Sequence, residues 1–321
     1  WYKLDQSANW DVSGSGYWDI PDASGNGNSG ISSGMTSANL VLTDLTRNLP
    51  YDSYSFNFDG VSGQNINIGT ISSLNNASAF TIGFWAKFVN PQSNSGVIFE
   101  NKLNNSNVIW IYRFSGLIYF HVNVSGSKNG YVSAPAANTW THIAMVFDGS
   151  GSANADRLKV YYNGVEQTLT YGGTIPATTG TYGTSYLGSM SNGTNEYNGL
   201  LNNFTIFNQA LTSTEVMKLY SNGVPQDLSS FSPAPVAWWT LGSNSFFNGT
   251  NYICRDLIGS NDGTSANAGV DAIVGDSPRS EANGTGTNMD VPTNLEGSTK
   301  YSSNNSWSIN MSETARVEDT P

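Results

Sequence analysis

The sequence predicts an all-β protein built as a two-layer sandwich, and three observations carry that expectation. Aromatic residues are abundant in a weakly charged chain, with 9 Trp, 16 Tyr and 14 Phe among 321 residues of which 12% are charged. Such a chain can bury a large core. Short aromatic and β-branched runs recur roughly every ten residues between Gly, Asn and Ser clusters, the spacing of sandwich strands. Helical periodicity stands out in one stretch, "TSTEVMKLYSNG" (212–223).

The first strand-like run, "GYWDIPD", leads into "SGNGNSG" (24–30), where Gly25, Gly27 and Gly30 spell G-x-G-x-x-G. A dinucleotide-binding loop needs a following helix whose N-terminus holds the pyrophosphate and which returns the chain to a parallel strand. Here "ISSGMTSANLV" follows, without a 3.6-residue apolar period, so that function is excluded. The loop is polar and rich in backbone, with Asp22 before it and Asn26 and Asn28 inside. Oxygens gathered in this way suit a hard cation such as calcium. They equally suit an Asn/Gly turn closed by Asx hydrogen bonds.

Strand candidates then follow closely. "YSFNFDG" (54–60) and "QNINIG" (64–69) alternate and end in Gly. "AFTIGFWAKFV" (79–89) places Phe80, Ile82, Phe84 and Ala86 on one face and Thr81, Trp85 and Lys87 on the other. "GVIFEN", "NVIWIYRF", "GLIYFHVNV", "TWTHIAMVFDG", "LKVYYNG" and "TSYLGS" continue the series. Several are apolar on both faces, as strands between two layers are. In 212–223, Thr212 and Glu215 form a capping box, Val216, Leu219 and Tyr220 an apolar face, and Gly223 a stop.

Composition excludes several functions. The net charge is −11 and the 13 Lys and Arg are spread singly, so neither nucleic acid nor an anionic membrane is an expected partner. Cys254 is the one cysteine, which precludes an intrachain disulfide and reads as a small core hydrophobe. No apolar run approaches the ~18 residues of a membrane-spanning helix. The start at Trp1 fits a processed product or a partial chain. Two histidines, His121 and His142, cannot supply a three-His zinc site. Both read as core residues, His142 sharing a face with Trp140, Ala144 and Val146 that is expected in the sandwich core. The literal G-x-S-x-G of "GISSG" (30–34) has no helical period after it, so no nucleophile elbow supports a serine nucleophile.

"GVPQDLSSFSPAPVA" (223–237) reads as a linker. Beyond it the sequence repeats its own beginning in degenerate form. "WWTL" (238–241) answers "WYKL" (1–4), "YICRDL" (252–257) answers "YWDIPD" (17–22), and "WSINM" (307–311) answers "YSFNF" (54–58). "GTGTNM…NL" (284–295) answers "GISSGM…NL" (30–40). The expected organisation is therefore a first domain over 1–222, a linker over 223–237, and a C-terminal region over 238–321 that partly repeats residues 1–58. That region is expected to form short strands on an edge of the sandwich or on a neighbouring subunit, and to drive oligomerisation.

Residues 1 to about 222 resemble the laminin-G-like, concanavalin A-like lectin/glucanase jelly-roll superfamily. "DASGNGNSG" is similar to its D-x-S-G-N-x-N/D-x-G loop, and "FTIGFWAKF" to its F-T-I-x-x-W-x-K strand. "NTWTHIAMVFDG" is similar to W-x-H-I/V-A-x-x-x-D-G, and "LKVYYNG" to the hairpin that follows. "YNGLLNNFTIFNQALTSTEVMKLY" is similar to the closing strand and helix. The resemblance implies two packed antiparallel sheets, one short helix after the closing strand, and here a small irregular β region at the C-terminus. Many members bind carbohydrate, and some carry calcium on the early loop together with an acidic residue of the closing strand. Carried over, the calcium set is Asp22, Asn28 and Asn203. Asn202 and Asn203 stand where an Asp-Asp pair is common, which removes charge from such a site.

The superfamily includes glucanases that present paired carboxylates on one strand face as E-x-D-x-x-E. None of the eight glutamates begins that pattern, so the protein is expected not to be an enzyme, and glycan hydrolysis is the least favoured reading. Carbohydrate binding by such folds uses exposed rings and Asn or Asp side chains on loops. The candidates are Trp110, Tyr112 and Tyr131, with Asn104, Asn107 and Tyr197. "WYKLD", "GNG…GM…NL" and "SINMS…ARVEDTP" resemble uncharacterised virion proteins of marine bacteriophages. The sequence thus points to a fibre, knob or capsid decoration at the virion surface, binding host-surface glycans and partnered by itself or other virion proteins. The alternative is a secreted bacterial adhesin or extracellular filament subunit. The sequons at Asn76, Asn203 and Asn248 are expected by chance in a chain so rich in Asn, Ser and Thr.

Overall fold

Alternating side chains and frequent turn residues commit the chain to antiparallel strands throughout. The computed structural model describes residues 8–14, 16–22, 24–42, 52, 54–89, 96–242, 244–278, 307–309 and 316–319. The chain divides into two units, residues 1–48 with 280–321, and residues 49–279.

The smaller unit opens with a three-stranded meander of β1 (Asn9–Asp11), β2 (Tyr17–Ile20) and β3 (Gly30–Ser33). Trp10 and Trp18 meet edge to face at 5.5 Å across β1 and β2. β4 (Leu40–Leu42) follows.

The larger unit begins with β5 (Ser55–Asp59), β6 (Asn65–Thr70), β7 (Ala79–Phe88) and β8 (Gly96–Asn104). It continues through β9 (Asn107–Phe114), β10 (Leu117–Val124), β11 (Asn129–Ser133) and β12 (Trp140–Asp148). A single helical turn, α1 (Asn154–Arg157), precedes β13 (Leu158–Tyr162), β14 (Val165–Glu166), β15 (Thr170–Gly172) and β16 (Thr184–Leu187). β17 (Asn198–Phe207) and helix α2 (Ser213–Tyr220) come next. They are followed by β18 (Ala237–Trp239), β19 (Ser245–Phe247), β20 (Tyr252–Cys254), β21 (Gly263–Ala266) and β22 (Ile273–Val274). Far along the chain, β23 (Trp307–Ile309) and β24 (Arg316–Asp319) return to the smaller unit. There β24 pairs with β3 and β23 with β4.

The larger unit is a sandwich of two antiparallel sheets. One has ten strands in the order β15-β11-β10-β9-β8-β16-β6-β21-β20-β19. The other has eight, in the order β14-β13-β12-β7-β17-β5-β22 with β18 also on β17. The expected face of β7 holds: Phe80, Ile82, Phe84 and Ala86 enter the core between the sheets, beside Ile98, Ile109, Ile111 and Phe120 of the facing sheet. Phe99 and Phe204 meet across the gap at 5.4 Å.

A second apolar layer lies outside the eight-stranded sheet, beneath α2. The capping box forms as expected, with the Glu215 N–H donating to Thr212 Oγ1 at 3.3 Å and the Thr212 N–H to Glu215 Oε2 at 2.7 Å. Val216 and Leu219 pack on Ala144, Val146, Tyr161 and Trp238. Gly83 makes this possible, since a Cβ there would lie 2.8 Å from Leu219 Cδ2. The helix ends earlier than expected, with Ser221 in the left-handed region (φ 49°) ahead of Gly223. His142 also corrects the sequence reading. With Ala144 and Val146 it faces the helix layer, while Ile143, Met145 and Phe147 face the inter-sheet core. Its ring is buried against Trp85 at 5.2 Å.

The boundaries at 222 and 237 are not those of the structure. Val224 and Leu228 of the expected linker are buried, Leu228 in the helix layer, because the segment is apolar enough to pack on the sheet it crosses. Residues 237–274 are strands of the sandwich itself: β18 pairs with β17, β21 with β6 and β22 with β5. Trp239 and Cys254 lie in the inter-sheet core. Burial pushes the Cys254 thiol up to about 12, as befits a core hydrophobe. Residues 1–4 and 284–295 of the proposed repeat lie outside the described residues.

Two outcomes follow from this packing. Trp239→Ala should destabilise the larger unit by about 3–5 kcal/mol, the range for a buried ring cut to a methyl; chemical denaturation measures it. Burial holds the His142 imidazole down to about 3, from an ordinary 6.5. The unfolded chain therefore binds a proton that the folded chain refuses, and stability present above pH 6.5 is lost as pH falls toward 3. The loss should approach about 1.4 kcal/mol per pH unit in this window, and His142→Gln should remove that component from melts recorded between pH 7 and pH 4.

Candidate functional site

Strand period and hairpin register together build an aromatic face on the outside of the ten-stranded sheet. On β9, Ile109 and Ile111 point into the core, so Trp110 and Tyr112 point out. On β10, Ile118, Phe120 and Val122 point in, so Tyr119 and His121 point out. The short β9–β10 turn pairs Tyr112 with Tyr119 and Trp110 with His121. Tyr119 in turn opposes Tyr131 of β11. The result is a ladder across three strands. Tyr112 and Tyr119 stack at 5.1 Å with a 9° interplanar angle, and Tyr119 and Tyr131 lie 5.0 Å apart. Trp110 stands edge-on to Tyr112 at 6.2 Å. These rings are half-buried and braced by one another.

One end of the ladder carries charge. Glu100 of β8 sits opposite Trp110 and is fully buried. Its Oε2 accepts from Trp110 Nε1 at 2.6 Å and its Oε1 from the Ser191 N–H at 2.8 Å. A buried carboxylate needs such donors. Lys102 Nζ is 3.9 Å from Glu100 Oε2 and 5.3 Å from the centre of the Trp110 ring. Glu100 therefore fixes the indole by its N–H and leaves its face to a cation or ligand. His121 bonds Asn123 through Nδ1 at 3.1 Å, and burial lowers its pKa below the ordinary value, which keeps the ring neutral at pH 7.

Beyond Lys102 the β8–β9 and β10–β11 turns enclose an open polar depression lined by Asn104, Asn105, Ser106, Asn107 and Ser125. Asn104 Oδ1 accepts from the N–H groups of Ser106 and Asn107, both at 3.0 Å, so Asn104 shapes the turn as well as lining it.

The structure thus brings together Trp110, Tyr112 and Tyr131, and places Asn104 and Asn107 at the adjoining turn. It does not bring Tyr197 there. That side chain is 1% exposed, packed between Phe58 and Phe88 in the core, with its hydroxyl donating to Lys87 O at 3.2 Å. Sequence reasoning missed Tyr119, Glu100 and Lys102. The alternation of "GLIYFHVNV" shows Tyr119 on the outer face, but the register shift between Lys102 and Asn104 that sets Glu100 against Trp110 leaves no local mark.

The expected calcium ligands are otherwise engaged. Asp22 accepts from the Ser24 N–H at 2.8 Å and from the Asn28 N–H at 3.2 Å, the Asx-type closure that was the alternative to a cation. These hydrogen bonds, led by Ser24, hold its carboxyl well below the usual range. Asn203 sits at a bulge of β17 with φ 54°. Its side-chain oxygen accepts from the Trp238 indole N–H, and the residue is buried. Asn203 therefore does not fit as a calcium ligand, because β18 covers it. Among the described residues no three or more His, Cys, Asp or Glu side chains gather as a metal group.

Residues 59–217 match the family model Laminin_G_3, of the concanavalin A-like lectin/glucanases superfamily. The matched stretch runs from the end of β5 into α2, and the superfamily is the one its motifs implied. The fold is similar to that of a Bacteroides ovatus protein provisionally described as carbohydrate binding. Identity is 15% and the TM-score 0.51, over 72% of this chain and 62% of that one. This chain thus spans less than two thirds of that protein. It is also similar to a SAP-like pentraxin from Limulus polyphemus, at 18% identity over 64% of this chain and 92% of that one, TM-score 0.40. The binding domain of botulinum neurotoxin DC, solved with rat synaptotagmin II, gives 15%, 81%, 64% and 0.43 in the same order. At 15% identity and a TM-score of 0.51, the likeness to the Bacteroides ovatus protein is one of fold alone. No curated protein sequence matches the chain.

Glu100→Gln should keep the hydrogen bond to Trp110 but remove the charge facing Lys102. Its Trp fluorescence maximum should stay near wild type, whereas Glu100→Ala, which frees the indole N–H, should shift it.

Proposed function

We propose that this is a non-enzymatic carbohydrate-binding protein, with the outer face of the ten-stranded sheet as its binding surface. The observation that carries the reading is the ladder Trp110, Tyr112, Tyr119 and Tyr131. Its rings are held by stacking and by Glu100, and are half-buried on the outer face of the sheet. Sugar rings offer apolar C–H faces and polar rims. Fixed aromatic planes suit the first, and the amides and hydroxyls of Asn104–Asn107 and Ser125 the second. The superfamily match and the description of the Bacteroides ovatus protein support the same reading. Both carboxylate oxygens of Glu100 accept a hydrogen bond, Oε2 from Trp110 and Oε1 from Ser191. Its hydrogen bonds to Trp110 and Ser191 assign it to holding the ring rather than to acid–base chemistry.

The surface on which the protein acts is, in this proposal, that of a virion, as a fibre, knob or capsid decoration. The resemblance of its sequence phrases to phage virion proteins supports that assignment, and mass spectrometry of purified particles checks it. Among the described residues no helix is long and apolar enough to cross a membrane.

A glycan array tests the binding reading. Full-length protein should bind a restricted set of glycans, and Trp110→Ala and Tyr119→Ala should each weaken binding tenfold or more without changing the far-UV spectrum, the loss of about 1.4 kcal/mol or more expected of a central aromatic contact. An array without hits, or ring variants that bind as wild type, would overturn it.

A further inference from the structure

The first meander of the chain and the last meander of the sandwich are the same object. β1-β2-β3 and β19-β20-β21 pair in the same register: Trp18, Asp19 and Ile20 correspond to Tyr252, Ile253 and Cys254, and Gly30 and Ile31 to Gly263 and Thr264. Side chains keep the correspondence. The Trp18 N–H donates to Ser32 Oγ at 2.7 Å and the Tyr252 N–H to Ser265 Oγ at 2.8 Å. Asp22 caps the β2–β3 loop through the N–H groups of Ser24 and Asn28. Asp256 caps the β20–β21 loop through those of Ile258 and Asn261, each at 3.2 Å. Among the described residues the counterpart of Gly30–Ser33 is thus Gly263–Ala266, and residues 284–295, which the sequence pairs with 30–40, lie outside them.

The partners of the two meanders correspond as well. β21 pairs with β6 and β22 with β5, while β3 pairs with β24 and β4 with β23. Ser265 opposes Ile66 as its equivalent Ser32 opposes Val317, and Ile273 opposes Phe56 as Leu40 opposes Ile309. β23 and β24 are therefore counterparts of β5 and β6. Among the described residues the smaller unit has no counterpart of β7 to β17. Its described strands are those of the sandwich's joint, with β1–β4 as one half and β23–β24 as the other.

We infer that this joint links copies of the chain head to tail, with β1–β4 of one copy completing β23–β24 of the next. The structure shows it closed within one chain, and a second copy presents the same two halves in the same registers. The larger unit already holds its own meander in β19–β21. Either half alone leaves ladder N–H and C=O groups unpaired, which is the condition for strand addition between chains. The contact joins unlike surfaces, so repetition gives a ring or a filament. It is independent of the carbohydrate reading.

Cysteine pairing tests it on the full chain. Ser33 is exposed and faces Arg316 in register, and the buried Cys254 contributes no background. Chains carrying Ser33→Cys, mixed with chains carrying Arg316→Cys and oxidised, should yield a covalent dimer absent from either alone, and the double variant a ladder of multimers. Light scattering should give the wild type a mass that rises with concentration. Val317→Pro, which removes a ladder N–H, should return it to one chain without shifting the melt of the larger unit. A double variant that closes only within single chains, a pair that never cross-links, or a wild type that is monomeric at every concentration would each overturn the inference.

Discussion

The ring of Phe204 is the point through which the sandwich is held. It touches Phe84 of its own sheet at 5.7 Å, Phe99 of the facing sheet at 5.4 Å and Trp239 of a strand that arrives late in the chain at 6.1 Å. Three stretches of sequence thus converge on one side chain, and each brings a sheet position with it. The bulge of β17 at Asn203 lies next to it, where the strand passes from β5 to β18 as its neighbour. Without the late strand, the C-terminal half of β17 would lack a ladder partner on the edge that β5 leaves at Leu201, which is why residues beyond α2 belong to the sandwich.

The outer face of the ten-stranded sheet is a consequence of its inner face. A strand has no choice about alternation, so every isoleucine that β9 and β10 commit to the core commits a ring to the outside. Hairpin register then decides which rings meet. What remains specific to the site is small in extent: the buried Glu100, its bond to Trp110, and the position of Lys102 over the indole. These turn a stripe of half-buried aromatics into a fixed platform with a charged end.

Much of this was legible in the sequence, for identifiable reasons. The β7 core set and the α2 capping box depend on residues within a few positions of one another, and both were read correctly. Features that depend on distant residues were not. Asn203 looks like a loop-facing ligand until Trp238, far along the chain, occupies its oxygen. Tyr197 looks like a surface ring until Phe58 and Phe88 enclose it. His142 lies on a strand apolar on both faces, and only the docking of α2 says which face is which. The repeat is visible in the sequence, but "GTGTNM…NL" (284–295) shares the Gly, Met and Asn-Leu of 30–40, whereas Gly263–Ala266 matches Gly30–Ser33 in ladder register and has little of that pattern.

The ladder of tyrosines also fixes a direction. Its rings come from adjacent strands, so their spacing of 5.1 and 5.0 Å is the spacing of the sheet itself. A ligand that touches successive rings must travel across the strands, not along them, and must present a similar feature at each step. The sheet acts as a ruler, and its graduation is set by backbone hydrogen bonds that no side-chain substitution can stretch.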